Sequence, residues 1–160
     1  MIHVERMTAP SVMTSPRVMG WREEAQRFFL GPAKKIQEKF EFQSLATFEN
    51  LKEALSAQFH GKCAYCERAV GFGEFDIEFF RPRSHAVGLT GKVDDQHYWW
   101  LAYEWSNLMA CCRNCGSYKG TRFPVEGSRS RYSEDVSSER PLLLDPCVDY
   151  PEQHLSYDQF

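Results

Sequence analysis

A chain of 160 residues is the size of one domain and can bury a core without disulfide staples. Apolar content is ordinary at 42%, aromatics are high at 14%, and no apolar run approaches the ~18 residues of a membrane span, so no membrane partner is expected. The net charge of −3 by itself argues against a nucleic-acid partner, but residues 132–160 hold seven acids and one base, which leaves the first 131 residues at +3.

The opening MIHVERMTAPSVMTSPRVMG has no charged-then-apolar signal pattern and carries four of the five methionines. It reads as a flexible leader over residues 1–19, ahead of a single domain over 20–160 in a cytoplasmic protein. Residues 21–42 have a helical pattern interrupted at Gly31-Pro32, which predicts two short helices. Thr47 is placed to cap a helix through about His60, because Phe48, Leu51, Leu55 and Phe59 recur at helical spacing and Gly61 stops it. Residues 20–60 thus form a helical part.

CAYCERAVGFGEFDIEFF then shifts to alternation at period two, which predicts a tight knuckle followed by a strand. On that strand Asp76, Glu78 and Phe80 share one face, and Ile77 and Phe79 the other. The aromatic run HYWWLAYEWSNLM, residues 97–109, fits either core or docking surface. CCRNCGSYKG, residues 111–120, reads as a second knuckle running into a short helix. Residues 61–125 form this middle part, and the polar stretch after Phe123-Pro124 opens a C-terminal extension over 126–160, which stops in mid-pattern.

Four of the six cysteines form two C-x-x-C pairs, Cys63/Cys66 and Cys112/Cys115, with 45 residues between them. Each pair supplies two corners of a tetrahedral thiolate site, and together they complete a closed structural Zn²⁺ site. Four thiolates leave no open position for water, so any chemistry comes from elsewhere. A disulfide framework and a redox C-x-x-C are the competing readings; a cytoplasmic compartment disfavours the first, and a second copy the other. Cys111 and Cys147 read as small buried apolar residues. The bases between Arg113 and Arg131 form a stripe that can contact phosphates or stand solvated.

Taken together, CAYCE, DIEFFRPRS, YWWLAYEWSNL, CRNC-x-x-x-KG-x-x-FP and RPLLLDPCVDYPEQHL resemble the HNH endonuclease superfamily. The likeness spans about residues 60–155. It is nearest to the nuclease subunits of Septu-type and retron-associated antiphage defence systems, which act beside an ATPase partner. The resemblance implies an α+β fold. Its core is of ββα-metal type, stapled by the four cysteines, with the helical part before it and a divalent Mg²⁺ or Mn²⁺ held against the scissile phosphate of DNA. It assigns Glu78 to the metal, with Asp76 as a helper, and Asn107 to the tether between the strands. The base histidine falls on Phe79, and the third motif position, a metal-holding Asn or His in the family, falls on Gly116. Catalysis is therefore expected to be impaired, with His85 beyond the Pro82 turn as a substitute base and His97 a weaker one. Arg81, Arg83, Lys119 and Arg122 are the expected phosphate contacts. The alternative is a non-catalytic zinc-stapled module that binds a protein partner or nucleic acid.

Overall fold

The computed structural model describes residues 1–32, 39–132 and 134–156. Helix α1, Pro16–Leu30, starts where Ser15 accepts a bond from the Val18 amide and proline takes the first turn. Its buried residues, Val18, Trp21 and Ala25, fall on one stripe. It ends at Gly31, where a Cβ would stand 2.6 Å from the Arg27 carbonyl oxygen, so only glycine fits that close approach. The second helix expected after Pro32 falls on residues 33–38, outside the described residues.

Helix α2, Glu49–Gln58, begins later than the Thr47 cap predicts. The Thr47 hydroxyl instead donates to the Ser44 carbonyl, inside a 3-10 turn over Leu45–Thr47. The helix then unwinds through His60 and Gly61, both in the left-handed region at φ 53° and 68°.

The expected leader over residues 1–19 is corrected by the structure: these residues are part of the fold. Val12, Met13 and Val18 are buried. The Gln58 side chain accepts from the Met7 amide (2.7 Å) and donates to the Glu5 carbonyl (2.9 Å). Arg6 donates to the carbonyls of Leu108 and Ser106, and the Trp105 indole donates to the Met7 carbonyl. The stretch looks loose in sequence because the hydrogen-bond partners of residues 3–7 lie more than fifty residues away.

Strands β1 (Asp76–Phe79) and β4 (Leu108–Cys111) pair antiparallel, with Glu78 opposite Met109 and Phe79 opposite Leu108. Helix α3, Arg113–Lys119, follows β4 through Cys112 and lies against β1. The hairpin-then-helix order agrees with the expected α+β class. Every residue of β4 is buried, whereas β1 is the outer strand. Two smaller antiparallel pairs complete the sheets among the described residues: β2 (Ala86–Val87) with β3 (Val93–Asp94), and β5 (Val125–Glu126) with β6 (Arg140–Pro141). The aromatic run is core: Tyr98 and Tyr103 are fully enclosed, and Trp99 and Trp105 nearly so. No helix among the described residues is long and apolar enough to cross a membrane.

The C-terminal extension is fastened by a buried carboxylate. Glu139 accepts from Arg81 Nε (2.8 Å), the Tyr98 hydroxyl (2.7 Å) and the Ser130 amide (2.7 Å), and its side chain is fully enclosed. Removing one partner of such a pair strands the other charge in the interior. Glu139→Ala is therefore expected to cost about 3–5 kcal/mol, with Glu139→Gln milder because one acceptor survives; chemical denaturation of both variants checks the order.

Candidate functional site

The four sulfurs of Cys63, Cys66, Cys112 and Cys115 all lie within 4.8 Å of one another. Two are carried by the turn that follows α2, which a bridge between Lys62 and Ala69 closes, and two by the first turn of α3. The donor set fits a tetrahedral Zn²⁺ and the fit has a local electrostatic reason. With Cys111 close by and the Cys112 amide donating to its sulfur (3.3 Å), Cys63 has its pKa lowered by hydrogen bonding. Burial and the neighbouring sulfurs push Cys115 up, and burial raises Cys66. Four thiols so crowded share their charge only around a cation, and a zinc ion would supply it as a structural staple with no open position. Cys111 is fully buried on β4, as the sequence predicts, and its thiol donates to the Cys112 carbonyl.

Glu78 leaves the outer strand toward α3. Its Oε2 lies 3.5 Å from where a Cβ on Gly116 would stand, and the Cys111 sulfur lies 3.8 Å from the same point. Its other oxygen, Oε1, is 3.1 Å from the Lys119 ammonium. That ammonium also donates to the Phe79 carbonyl (2.6 Å) and to the Gly120 carbonyl. With only 7% of its side chain exposed, Lys119 has its pKa lowered by desolvation, against the pull of Glu78. Phe79 points away from this pair, packs on the core and carries the Arg83 guanidinium 4.9 Å from its ring centre.

Asn107 is buried with its side chain fully used. Its Oδ1 accepts from the Arg81 amide (2.8 Å), and Nδ2 donates to the carbonyls of Arg81 and Leu101. It pins the chain leaving β1 to the chain entering β4. His85, the suggested substitute base, stands exposed with a left-handed backbone and pairs with Asp95 at 3.5 Å. His97 is half-buried, its Nδ1 2.7 Å from Asp94.

Three of the four expected phosphate contacts are engaged inside the protein. Arg81 is held by Glu139 and the Val136 carbonyl. Arg83 lies over Phe42 and Phe79, its pKa lowered by burial. Lys119 is closed onto Glu78. Only Arg122 is exposed, and its guanidinium bonds the Tyr118 carbonyl. The sequence shows Lys119 as a base four residues after the last cysteine, and nothing local in it tells that this base is the partner of Glu78.

A Septu protein PtuB of Bacillus mycoides (strain KBAB4) is 35% identical over 169 residues, an alignment that takes in 98% of this chain and 55% of the relative. A Septu protein PtuA of the same organism is 36% identical over 113 residues, covering 68% of this chain and 16% of the relative. The chain spans about half the length of the first of these relatives and a smaller share of the second. No family model and no solved structure matches it.

Elemental analysis of the purified protein is expected to find about one zinc per chain. Cys115→Ser should lose the metal and the cooperative unfolding transition together, whereas Cys111→Ala should keep the metal. Acidification should release zinc as protons displace it from the sulfurs, which a chromophoric chelator reads directly.

Proposed function

We propose that this chain is a cytoplasmic subunit of an antiphage defence assembly, built on an HNH-type scaffold with DNA as its substrate class and an ATPase as its partner, and that its own cleavage chemistry is impaired. The likeness to Septu proteins supports the defence role. The observation that carries the scaffold reading is the approach of Glu78 to Gly116 across the hairpin and helix, its Oε2 3.5 Å from where a Cβ on Gly116 would stand, beside four cysteines that could hold a metal staple.

The same spot explains the impairment. A divalent ion arriving there would meet one carboxylate already paired with an ammonium and a residue with no side chain, while the ring at position 79 is packed on the core. The residues present do not fit a catalytic Mg²⁺ or Mn²⁺. Phenylalanine has no lone pair with which to take a proton from water, and a positioned base contributes ~10²–10⁴-fold to such reactions. His85 does not supply it in this arrangement, since its ring is turned to Asp95 on the surface.

The Glu78–Lys119 pair favours a second reading, in which the module binds its partner or nucleic acid without cutting. Cleavage of DNA in Mg²⁺ or Mn²⁺ separates the two. Phe79→His with Gly116→Asn is expected to raise cleavage at least ~10²-fold over a parent near background, and Gly116→Asn alone to improve metal binding with little turnover. A double variant that folds, binds zinc and still does not cut would favour the binding module. Robust cleavage by the parent, abolished by His85→Ala, would instead overturn the impaired-nuclease reading.

A further inference from the structure

The bases that the interior does not neutralise gather elsewhere. Lys92, Arg129 and Arg131 line one cavity of about 580 Å³ between the β2–β3 turn and the loop that joins β5 to β6. None of the three side chains is ion-paired with a carboxylate among the described residues, while the Arg131 backbone amide donates to Glu134 Oε2 (2.7 Å). The one carboxylate on the cavity wall, Asp94, is taken by His97 at 2.7 Å and by the Gln96 amide at 3.0 Å. Arg129 gives one terminal nitrogen to the Phe123 carbonyl (3.1 Å), while its Nε is buried and has no partner. The His97 Nε2, on the same wall, is likewise buried and unpartnered.

Three cations around one concave space repel each other and raise its positive potential, which an anion relieves. A buried N–H left without an acceptor carries a desolvation cost that an oxygen of that anion would remove. Arginine's planar fork matches the oxygens of a phosphate, and lysine adds a point charge. The wall also carries apolar surface: Leu89 is 73% exposed at the rim, and Val125 lies beside Arg129 on the same cavity. The volume falls within the range of pockets that hold small ligands, ~300–1,000 Å³.

We propose that this cavity binds the phosphate of a nucleotide, with Lys92, Arg129 and Arg131 as its ligands and Leu89 and Val125 beside the nucleoside. The source of the phosphate is either a free nucleotide or a nucleotide within a single strand of nucleic acid. The cavity shares no residue with the Glu78 site, and the proposal does not rest on the nuclease reading.

Calorimetric titration of the full chain at low salt, without divalent ions, with pyrophosphate, ATP and a short single-stranded oligonucleotide tests it. Lys92→Gln/Arg131→Gln changes only exposed side chains, so it should unfold at the parent's temperature yet bind at least ~10-fold more weakly, as expected for loss of charged hydrogen bonds. Arg129→Lys, which keeps the charge and removes the fork, should also weaken binding, and Arg122→Gln should not. Sensitive binding of ATP or pyrophosphate assigns the cavity to free nucleotides, and sensitive binding of the oligonucleotide alone assigns it to a strand. The proposal is overturned if no probe binds at millimolar concentration, if the double variant binds as the parent does, or if Arg122→Gln weakens binding as much. Because no cleavage is read, these outcomes are independent of whether nuclease activity can be restored.

Discussion

The four-cysteine cluster is the constraint on which the rest of the middle of the molecule depends. Helix α3 has seven residues and none of them is fully buried. A helix so short is unstable by itself, and this one has no apolar face with which to dock. A cation shared by Cys112 and Cys115, at the start of the helix, and by two cysteines of the knuckle after α2 would staple it in place against β1. Gly116 and Lys119 ride on that helix, so such a staple would help fix their positions relative to Glu78, together with the Glu78–Lys119 ion pair itself. The same staple explains how 45 residues can be inserted between the cysteine pairs: the strands, turns and aromatic run they contain bring the ends back together.

Charge placement follows from where the interior has carboxylates. Glu139 is enclosed and needs a cation, and Arg81 supplies it between the rings of Phe80, Tyr98 and Phe123. Glu78 is nearly enclosed and takes Lys119. Both bases are among the expected phosphate contacts, and each is bound instead to an acid 41 or 58 residues distant. A buried charge left unpaired costs more than the attraction of a remote phosphate in water can return, so these pairs outcompete an exposed ligand. Bases on the turns, such as Lys92 and Arg131, stand exposed without an ion-pair partner among the described residues.

That difference marks what the sequence makes legible. The metal cluster could be read from two spacings, because a C-x-x-C turn sets its own geometry and two of them define a ligand set. The strand at Asp76–Phe79, the helix around Leu51 and Leu55, and the buried Cys111 were also readable, since periodicity and residue type are local signals. Long-range pairing is not local. Met7 bonds Gln58, Arg6 bonds Leu108, and Val4 bonds Pro146, so a segment without any apolar periodicity became a wall of the fold. The Thr47 cap failed for a smaller reason, a competing bond to Ser44 that closes a 3-10 turn first.

The four positions that the HNH resemblance marks divide by physical role. Asn107 makes three hydrogen bonds to backbone and would be needed to shape the loop whether or not the site cuts anything. Glu78 likewise has a structural occupation, as the partner of Lys119. Positions 79 and 116 are different, because a histidine and an asparagine there would serve water and metal and little else. Phe79 instead packs on the core and supports Arg83, and Gly116 leaves its space to the Glu78 carboxylate. At both positions packing or room stands where the resemblance expects a chemical group, and the hairpin, the helix and the cysteine cluster are all in place. The scaffold and the chemistry are thus separable in this chain, which is why a site poor in donors can sit on a framework that still aims the strand at the helix.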